Sequence, residues 1–145
     1  MNYTQSYPAK LEEDEEGRFL VSFPDIPEAL TDANTFKDAF AEAIDCLEEA
    51  LAGRINRDEE IPKPSKSRRG LYLIPISAGF SMKVLLHHAW KEAGITRTQL
   101  AKMINVDEKE ARRLLDPRYH SKLPAMERAF DALGYRVNVG LEKVA

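Results

Sequence analysis

The sequence contains few of the cysteines and histidines that bind transition metals or form crosslinks. It has one cysteine and three histidines in 145 residues. A single cysteine excludes an intramolecular disulfide, and we expect Cys46 to be a small core residue because it falls on the apolar side of a helical pattern. His87 and His88 are adjacent, so a helix would point them about 100° apart, and His120 stands alone in the sequence. We therefore expect no bound metal and no cofactor.

Long apolar runs are also absent. No stretch of about 18 consecutive apolar residues occurs, so we expect no segment that spans a membrane. The first residues lack the charged and then apolar pattern of a secretion signal. The sequence therefore predicts a cytoplasmic protein.

Charge is divided unevenly along the chain, although the formal net charge is only −3. Residues 1–60 contain 5 Lys and Arg against 16 Asp and Glu, residues 61–77 contain 4 basic and no acidic residues, and residues 78–145 contain 12 basic and 8 acidic residues. An acidic front half should repel nucleic acid and attract a basic protein, whereas the basic remainder suits an anionic partner. An acidic surface that is merely solvated is the alternative.

Residues 94–115 carry the most informative pattern, which predicts two short helices joined by a tight turn. Thr96 can cap the first helix and Asp107 the second, and Asn105 tolerates the left-handed conformation that such a turn needs. Apolar residues at helical spacing predict the buried side, which consists of Leu100, Ala101, Ile104, Ala111, Leu114 and Leu115. Such a pair with a basic second helix is typical of a helix-turn-helix that enters the DNA major groove.

Five residues of this stretch are candidates for contact with DNA. Arg97 opens the first helix, where a side chain can reach phosphate, and Lys109 and Arg112 lie one turn apart on the exposed side of the second. Arg113 points more to the side, towards phosphate. Glu108 repels phosphate but can accept a hydrogen bond from a cytosine amino group. An ordinary pair of core helices with a solvated basic face would show the same pattern.

The first half of the chain predicts an α+β unit in the order β-β-β-α-β. Alternating apolar residues in two segments indicate a hairpin, formed by Tyr3, Tyr7, Ala9 and Leu11 and then by Phe19, Val21 and Phe23. A short edge strand is expected over 29–31. An amphipathic helix follows, which Thr35 caps with Asp38 and Gly53 ends. Residues 71–76 are apolar and predict a last strand.

The second half predicts only helices before a tail or strand over 136–141. The first covers 80–93, with Trp90 as a core residue and a buried stripe of Val84, Leu85, His88 and Ala89. A later helix covers 125–133, with Pro124 at its first position and Gly134 at its end. We thus divide the chain into a first unit with its core in 1–60, a basic linker with the last strand of that unit in 61–77, and a helical unit in 78–145.

The linker carries four cations, which are Lys63, Lys66, Arg68 and Arg69. Its prolines and serines and its lack of periodicity are typical of a flexible solubilising tether. An additional, non-specific contact with phosphate is the alternative.

The string from Phe19 to Thr31 has the form F-x-V-x-F-P-D-x-P-x-A-x-T. With Tyr7-Pro8-Ala9 before it and the alanine-rich helix after it, it resembles the HicB antitoxin family. The second half resembles the Xre/Cro-type helix-turn-helix that some HicB proteins carry. The resemblance implies a partial RNase H-like first domain and a partner, a small basic HicA-like ribonuclease toxin that cleaves messenger RNA. For contact with that toxin our candidates are Phe23, Asp25 and Glu28, near the predicted sheet edge.

An RNase H-like fold raises the question of catalysis, which needs several carboxylates that converge on two Mg²⁺ ions. The available set is Asp25, Glu28, Asp38 and Glu42, and the first strand offers no carboxylate before Glu12. We therefore expect no enzymatic activity.

The sequence as a whole predicts an antitoxin that inhibits its toxin and represses its own operon. It would bind operator DNA as a homodimer or higher homo-oligomer, because paired helix-turn-helix units read half-sites about one helical turn apart. The alternative is a stand-alone Xre-type repressor whose first domain senses a small ligand.

Overall fold

A computed structural model describes residues 6–144 and has a mixed α+β fold, in which an antiparallel sheet is followed by helices. The elements are β1 (Ser6–Glu13), β2 (Phe19–Ser22), β3 (Leu30–Ala33), α1 (Phe36–Asn56), β4 (Tyr72–Pro75), α2 (Ala78–Ala93), α3 (Arg97–Met103), α4 (Glu108–Leu115) and α5 (Leu123–Ala132). The β-β-β-α-β order and the helical second half are confirmed. Tyr3, which the first predicted strand included, lies outside the described residues.

The sheet has the strand order β3-β2-β1-β4, with antiparallel pairing throughout. β1 is therefore central: Leu11 pairs with Val21 of β2, and Tyr7 pairs with Ile74 of β4. The turn between β1 and β2 is tight because Gly17 adopts a positive φ of 84°, which costs glycine little. Asp14 closes the same turn by accepting hydrogen bonds from backbone amides.

α1 packs on one face of this sheet and encloses the first core. The side chains that alternate along the strands meet the apolar side of the helix, and the cluster includes Tyr7, Ala9, Val21, Phe23, Ile74, Ala39, Ala43, Leu47 and Leu51. The Thr35 hydroxyl caps the helix by accepting from the Asp38 amide at 3.1 Å. Cys46, on the same helix, is half-buried and packs against this core.

The predicted end of α1 at Gly53 is wrong. The helix continues to Asn56, and Gly53 is buried within it. A glycine inside a helix costs roughly 1 kcal/mol relative to alanine. Burial of Ile55 one residue short of the helix end offsets that cost, since a buried isoleucine contributes about 1.5–3 kcal/mol. The chain leaves the helix through Asp58, which adopts a positive φ of 57°.

α2 lies between two cores, and this changes which of its residues are buried. Phe80 and Val84 belong to the first core, whereas Leu86 and Ala89 belong to a second core with α3, α4 and α5. The predicted stripe is therefore wrong in two positions. Leu85 and His88 are only partly buried, while the fully buried set also includes Ser81, Lys83, Leu86 and His87. A helix enclosed on two sides buries more than one stripe.

The remaining helix boundaries agree closely with the sequence pattern. α5 starts at Leu123, which makes Pro124 its second residue rather than its first. Gly134 follows α5 with a positive φ of 90°. Residues 136–141 belong to no helix or strand. Among residues 6–144, no helix combines the length and the hydrophobicity that crossing a membrane requires.

The first part of the basic linker is fixed to the sheet unit, so the prediction of a flexible tether does not hold for residues 61–65. Ile61 is buried in the first core. The Tyr7 hydroxyl donates to the Pro62 carbonyl at 2.8 Å. Both the amide and the hydroxyl of Ser65 donate to one carboxylate oxygen of Asp25, at 2.8 and 3.0 Å.

An ion pair between Glu28 and Arg54 joins the loop before β3 to the last turns of α1. It is bidentate, with Nε–Oε2 and Nη2–Oε1 distances of 2.5 and 2.8 Å. The hydrogen bonds from Arg54 lower the pKa of Glu28 to about 2. Such paired contacts are the stronger kind of surface ion pair because two bonds form in one fixed geometry.

Glu28→Gln should destabilise the fold at neutral pH, and the difference from the wild type should vanish as the pH falls towards about 2. A carboxyl whose pKa is lowered on folding contributes stability above its ordinary pKa of 4.5, and this contribution is lost as the pH falls towards about 2. Because the pair is solvent-screened, we expect the variant to lose only about 0.5–1 kcal/mol at pH 7. Urea titrations at pH 7, 4.5 and 2.5 would measure it, with Glu42→Gln on the exposed side of α1 as the control. Parallel stability–pH curves for wild type and Glu28→Gln would contradict the assignment.

Candidate functional site

The α3–α4 pair is held by local contacts that its sequence encodes. The Thr96 hydroxyl accepts from the Gln99 amide at 3.1 Å, and the Gln99 side chain accepts from the Thr96 amide at 2.8 Å. This reciprocal pair is a capping box. Asn105 adopts the predicted left-handed conformation with φ 57°, and Asp107 caps α4 through the Glu110 amide at 2.8 Å. The predicted roles of Thr96, Asn105 and Asp107 are all confirmed.

The inner side of the pair packs into the second core. Leu100, Ala101, Ala111, Leu114 and Leu115 are buried as predicted, and Ile104 is partly buried. Of these, Leu100, Ile104, Leu114 and Leu115 pack with side chains of α2 and α5, which include Leu86, Ala89, Met126, Ala129 and Phe130. α4 thus has one face fixed in a core and the opposite face open to solvent.

The outer face of α4 presents the predicted cations. Lys109 and Arg112 are exposed, and within residues 6–144 neither takes part in an ion pair or side-chain hydrogen bond. Arg113 is partly buried, and its guanidinium lies 5.3 Å from the centre of the Tyr119 ring. Glu108 accepts a hydrogen bond from the Thr98 hydroxyl at 2.9 Å, which ties the start of α4 to α3.

Arg97 lies at the first position of α3 and is exposed. Its guanidinium is 5.3 Å from the centre of the Trp90 ring, and the Lys91 ammonium is 5.9 Å from the same ring. Trp90 is half-buried and packs against the second core, so it also serves as a platform for these two cations. Both cations thereby lie at one end of the α3–α4 surface, where Lys91 is also paired with Asp58.

The sequence interpretation missed Lys83, which α2 places beneath α4. Only 4% of the residue is exposed. Its ammonium donates to the carbonyl oxygens of Arg113 at 3.0 Å and Leu114 at 2.8 Å, and to the Ser121 hydroxyl at 2.7 Å. Burial lowers its pKa to about 8. The signal was available, because Phe80, Lys83, Val84 and His87 follow the helical i, i+3, i+4, i+7 spacing.

The three candidates for toxin contact occupy the segment between β2 and β3. Phe23 is 2% exposed and lies in the first core. Its side chain is therefore not accessible to a partner and instead supports the loop after it. Asp25 is partly exposed and accepts two hydrogen bonds from Ser65, and Glu28 is exposed and paired with Arg54. The structure therefore brings the three residues together in one loop, with both carboxylates engaged within the chain.

An acidic stripe runs along the exposed side of α1, formed by Asp38, Glu42, Asp45 and Glu49. Like charges at helical i, i+3 and i, i+4 spacing repel by a few tenths of a kcal/mol per pair. Within residues 6–144, the last residue of the stripe is the one that forms an ion pair, since Arg118 binds Glu49 at 2.6 Å. The hydrogen bonds from Arg118 lower the pKa of Glu49. Part of the acidic charge predicted from composition thus lies in a row on one helix face.

The two units meet at α1. Besides the Arg118–Glu49 pair, Lys91 binds Asp58 at 2.8 Å, and the Ser77 amide donates to Glu48 at 2.7 Å. A cleft of about 400 Å³ lies between α1 and the loop after α4.

The four carboxylates considered for catalysis do not form a metal site, because no group of three or more potential ligands gathers anywhere in residues 6–144. His87 is buried, and burial lowers its pKa, while His88 packs beside it with 6.2 Å between ring centres.

Sequence comparisons connect this arrangement to known proteins. A family model described as the HicB-like antitoxin of bacterial toxin-antitoxin systems matches residues 6–85. Antitoxin HicB 1 of Photorhabdus laumondii subsp. laumondii is 34% identical over 136 residues, which cover 94% of this chain and 86% of that protein. Antitoxin HicB of Escherichia coli strain K12 is 35% identical over 133 residues, which cover 92% of this chain and 96% of that protein.

A more distant relative, antitoxin HicB of Pseudomonas fluorescens strain Pf0-1, is 29% identical over 89% of this chain and 89% of its own length. Alignments that cover 92–94% of the chain necessarily include most of the helical unit as well as the sheet. The family model and the relatives at 34% and 35% identity agree, and the chain belongs to the HicB-like antitoxin family.

Proposed function

We propose that this chain is the antitoxin of a HicAB-like system, in which the first unit inhibits an mRNA-cleaving toxin and the second represses the operon by binding operator DNA. The observation that carries the proposal is that relatives named as HicB antitoxins align with the sheet unit and the helical unit together. The partner is then a small basic HicA-like ribonuclease. The sheet unit would be a partial RNase H-like fold that binds and does not cleave.

The acidic stripe on α1 supports binding of a basic toxin. Four carboxylates in one row repel one another, and a partner with lysines or arginines in a matching row would relieve this repulsion. Asp25 and Glu28 extend the acidic surface at the loop before β3, and Phe23 holds that loop from below. Because Asp25 and Glu28 are already bound to Ser65 and Arg54, they suit a contact surface better than a catalytic site.

The α3–α4 pair supports binding of DNA as a helix-turn-helix. α4 carries the two unpaired cations Lys109 and Arg112 on a face that its caps and core contacts keep rigid. Arg97 and Lys91 at the Trp90 ring suit contact with the phosphate backbone. Glu108 accepts a hydrogen bond from the Thr98 hydroxyl. Its first role would therefore be to orient the start of α4, and contact with a base would come second. A homodimer or higher homo-oligomer would place two such helices in successive half-sites.

Reversal of charge on the α1 stripe should weaken toxin binding. In Glu42→Lys/Asp45→Lys we expect the dissociation constant for the cognate toxin to rise about tenfold to a hundredfold at low salt, because like charges would then face each other. The control is Glu127→Lys/Asp131→Lys, which makes the same change of charge on the exposed side of α5. Calorimetric titration and rescue of toxin-arrested cells would measure both.

Equal toxin affinity for the stripe variant and its control would show that the toxin binds elsewhere. Failure of any small basic protein to copurify with the wild-type chain would instead favour the ligand-sensing repressor.

The cations of the α3–α4 surface should fall into two classes on DNA. Arg97→Ala should weaken binding to operator and to scrambled DNA alike. It should also reduce the slope of log affinity against log salt concentration by about one. At least one of Lys109→Ala and Arg112→Ala should cost about 1–3 kcal/mol on the operator and much less on scrambled DNA. Binding curves at two salt concentrations decide this, with Arg128→Ala on α5 as the matched control. Equal losses on both DNAs for Lys109→Ala and Arg112→Ala would mean that α4 does not read bases.

A further inference from the structure

α4 is held at both ends by contacts outside its own core side. At its start, Asp107 caps the helix and Thr98 of α3 holds Glu108. At its end, the buried ammonium of Lys83 reaches the carbonyl oxygens of the last turn. The helix has only eight residues, so these two attachments fix its position along nearly its whole length.

The attachment at the end of α4 depends on a cation rather than on packing. The last carbonyls of a helix have no partner within it, and they form the negative end of the helix dipole. An ammonium has three N–H groups, and here it donates hydrogen bonds to three acceptors on α4 and the following loop. The ring of Tyr119, 6.0 Å from the ammonium, covers it from the loop.

Burial of this charge is unfavourable by itself, because a cation removed from water loses solvation that hydrogen bonds only partly restore. An apolar side chain of similar length would fill the same space without that cost. The lysine is therefore better explained by the geometry it imposes on α4 than by stability. Arg112 lies within one turn of the carbonyls that Lys83 binds, whereas Lys109 lies near the other attachment.

We propose that Lys83 is a positioning residue for DNA recognition, which sets where the C-terminal half of α4, and with it Arg112, meets the operator. This inference rests on the proposed DNA-binding function. It predicts that loss of the ammonium shifts the end of α4 while its start stays attached to α3. The contact made by Arg112 should then be lost, and the contact made by Lys109 should largely remain.

Lys83→Met in the full chain tests this, because methionine keeps an unbranched apolar stem and removes the donor. We expect operator binding to weaken about 5- to 150-fold, which is the loss of one good base contact, while binding to scrambled DNA changes less than about twofold. The control is Lys91→Met, the same substitution on the exposed end of α2. Lys91→Met should reduce affinity for both DNAs to a similar extent.

Double variants separate positioning from general destabilisation. Lys83→Met/Arg112→Ala should bind the operator no more than about twofold more weakly than Lys83→Met alone, because Arg112 has already lost its contact. Lys83→Met/Lys109→Ala should show the product of the two single effects. Lys83→Gln, which keeps two N–H donors, should recover part of the affinity, and it replaces Lys83→Met if that variant unfolds at the assay temperature.

The pH profile gives a readout that simple loss of packing would not change. Above its pKa of about 8, the Lys83 amine has one hydrogen fewer for its three acceptors, so selectivity for the operator should fall between pH 7 and pH 9. The titratable and charged groups around it, on α4, its following loop and α1, are Glu110, Asp116, Arg118, Tyr119, His120, Asp45, Glu48 and Glu49. All of them remain in Lys83→Met, whose profile should be flat over the range where the wild type changes.

Three results would decide against the proposal. Wild-type operator affinity in Lys83→Met would show that α4 does not depend on this lysine, and a multiplicative effect with Arg112→Ala would show that the lysine acts on something else. Either outcome leaves the DNA-binding function intact. A wild-type protein that binds operator and scrambled DNA equally would overturn the proposed function, and this inference with it.

Discussion

The antiparallel pairing of β1 with both β2 and β4 determines how the rest of the chain is arranged. The pair of β1 with β4 joins Ala9 to Tyr72, so the chain must return to the sheet after α1 and the linker. α2 then starts at the sheet, and its first residues Phe80 and Val84 complete the first core. The sheet unit and the helical unit consequently share one helix, and a boundary at residue 77 cuts through packed surface.

This shared helix outweighs the ion pairs between the units. Burial of Phe80 and Val84 contributes about 1.5–3 kcal/mol each, whereas an exposed pair such as Arg118–Glu49 contributes about 0–1 kcal/mol. The core therefore sets the relative orientation of the two units. The ion pairs adjust it locally, and they leave the larger part of the α1 carboxylates open to a partner of opposite charge.

Local signals in the sequence predicted local structure well. Thr96, Asn105 and Asp107 act through contacts within three residues, and each was found in the predicted role. The spacing along α2 indicated which side of that helix is buried, but the partners of contacts between distant residues were not predictable. The Lys83 ammonium donates hydrogen bonds to carbonyl oxygens of α4 that lie 30 and 31 residues later, and the linker is fixed because the Ser65 amide donates to Asp25. Glu28 and Arg54 are also far apart in the sequence, so the sequence showed the acidic charge but not the ion pair between them.

The anchored linker also determines where a protease can cut. Residues 61–65 are tied to the sheet unit and β4 begins at Tyr72, so the exposed stretch between them, 66–70, is short and contains Lys66, Arg68 and Arg69. Exposed segments of this kind are the preferred sites of proteolytic nicking, and trypsin-like enzymes cut after lysine and arginine. A cut there would leave β4 hydrogen-bonded to β1 and Phe80 in the first core. The nicked chain would therefore hold together as two associated fragments. Cleavage within residues 66–70 would then not by itself inactivate the antitoxin.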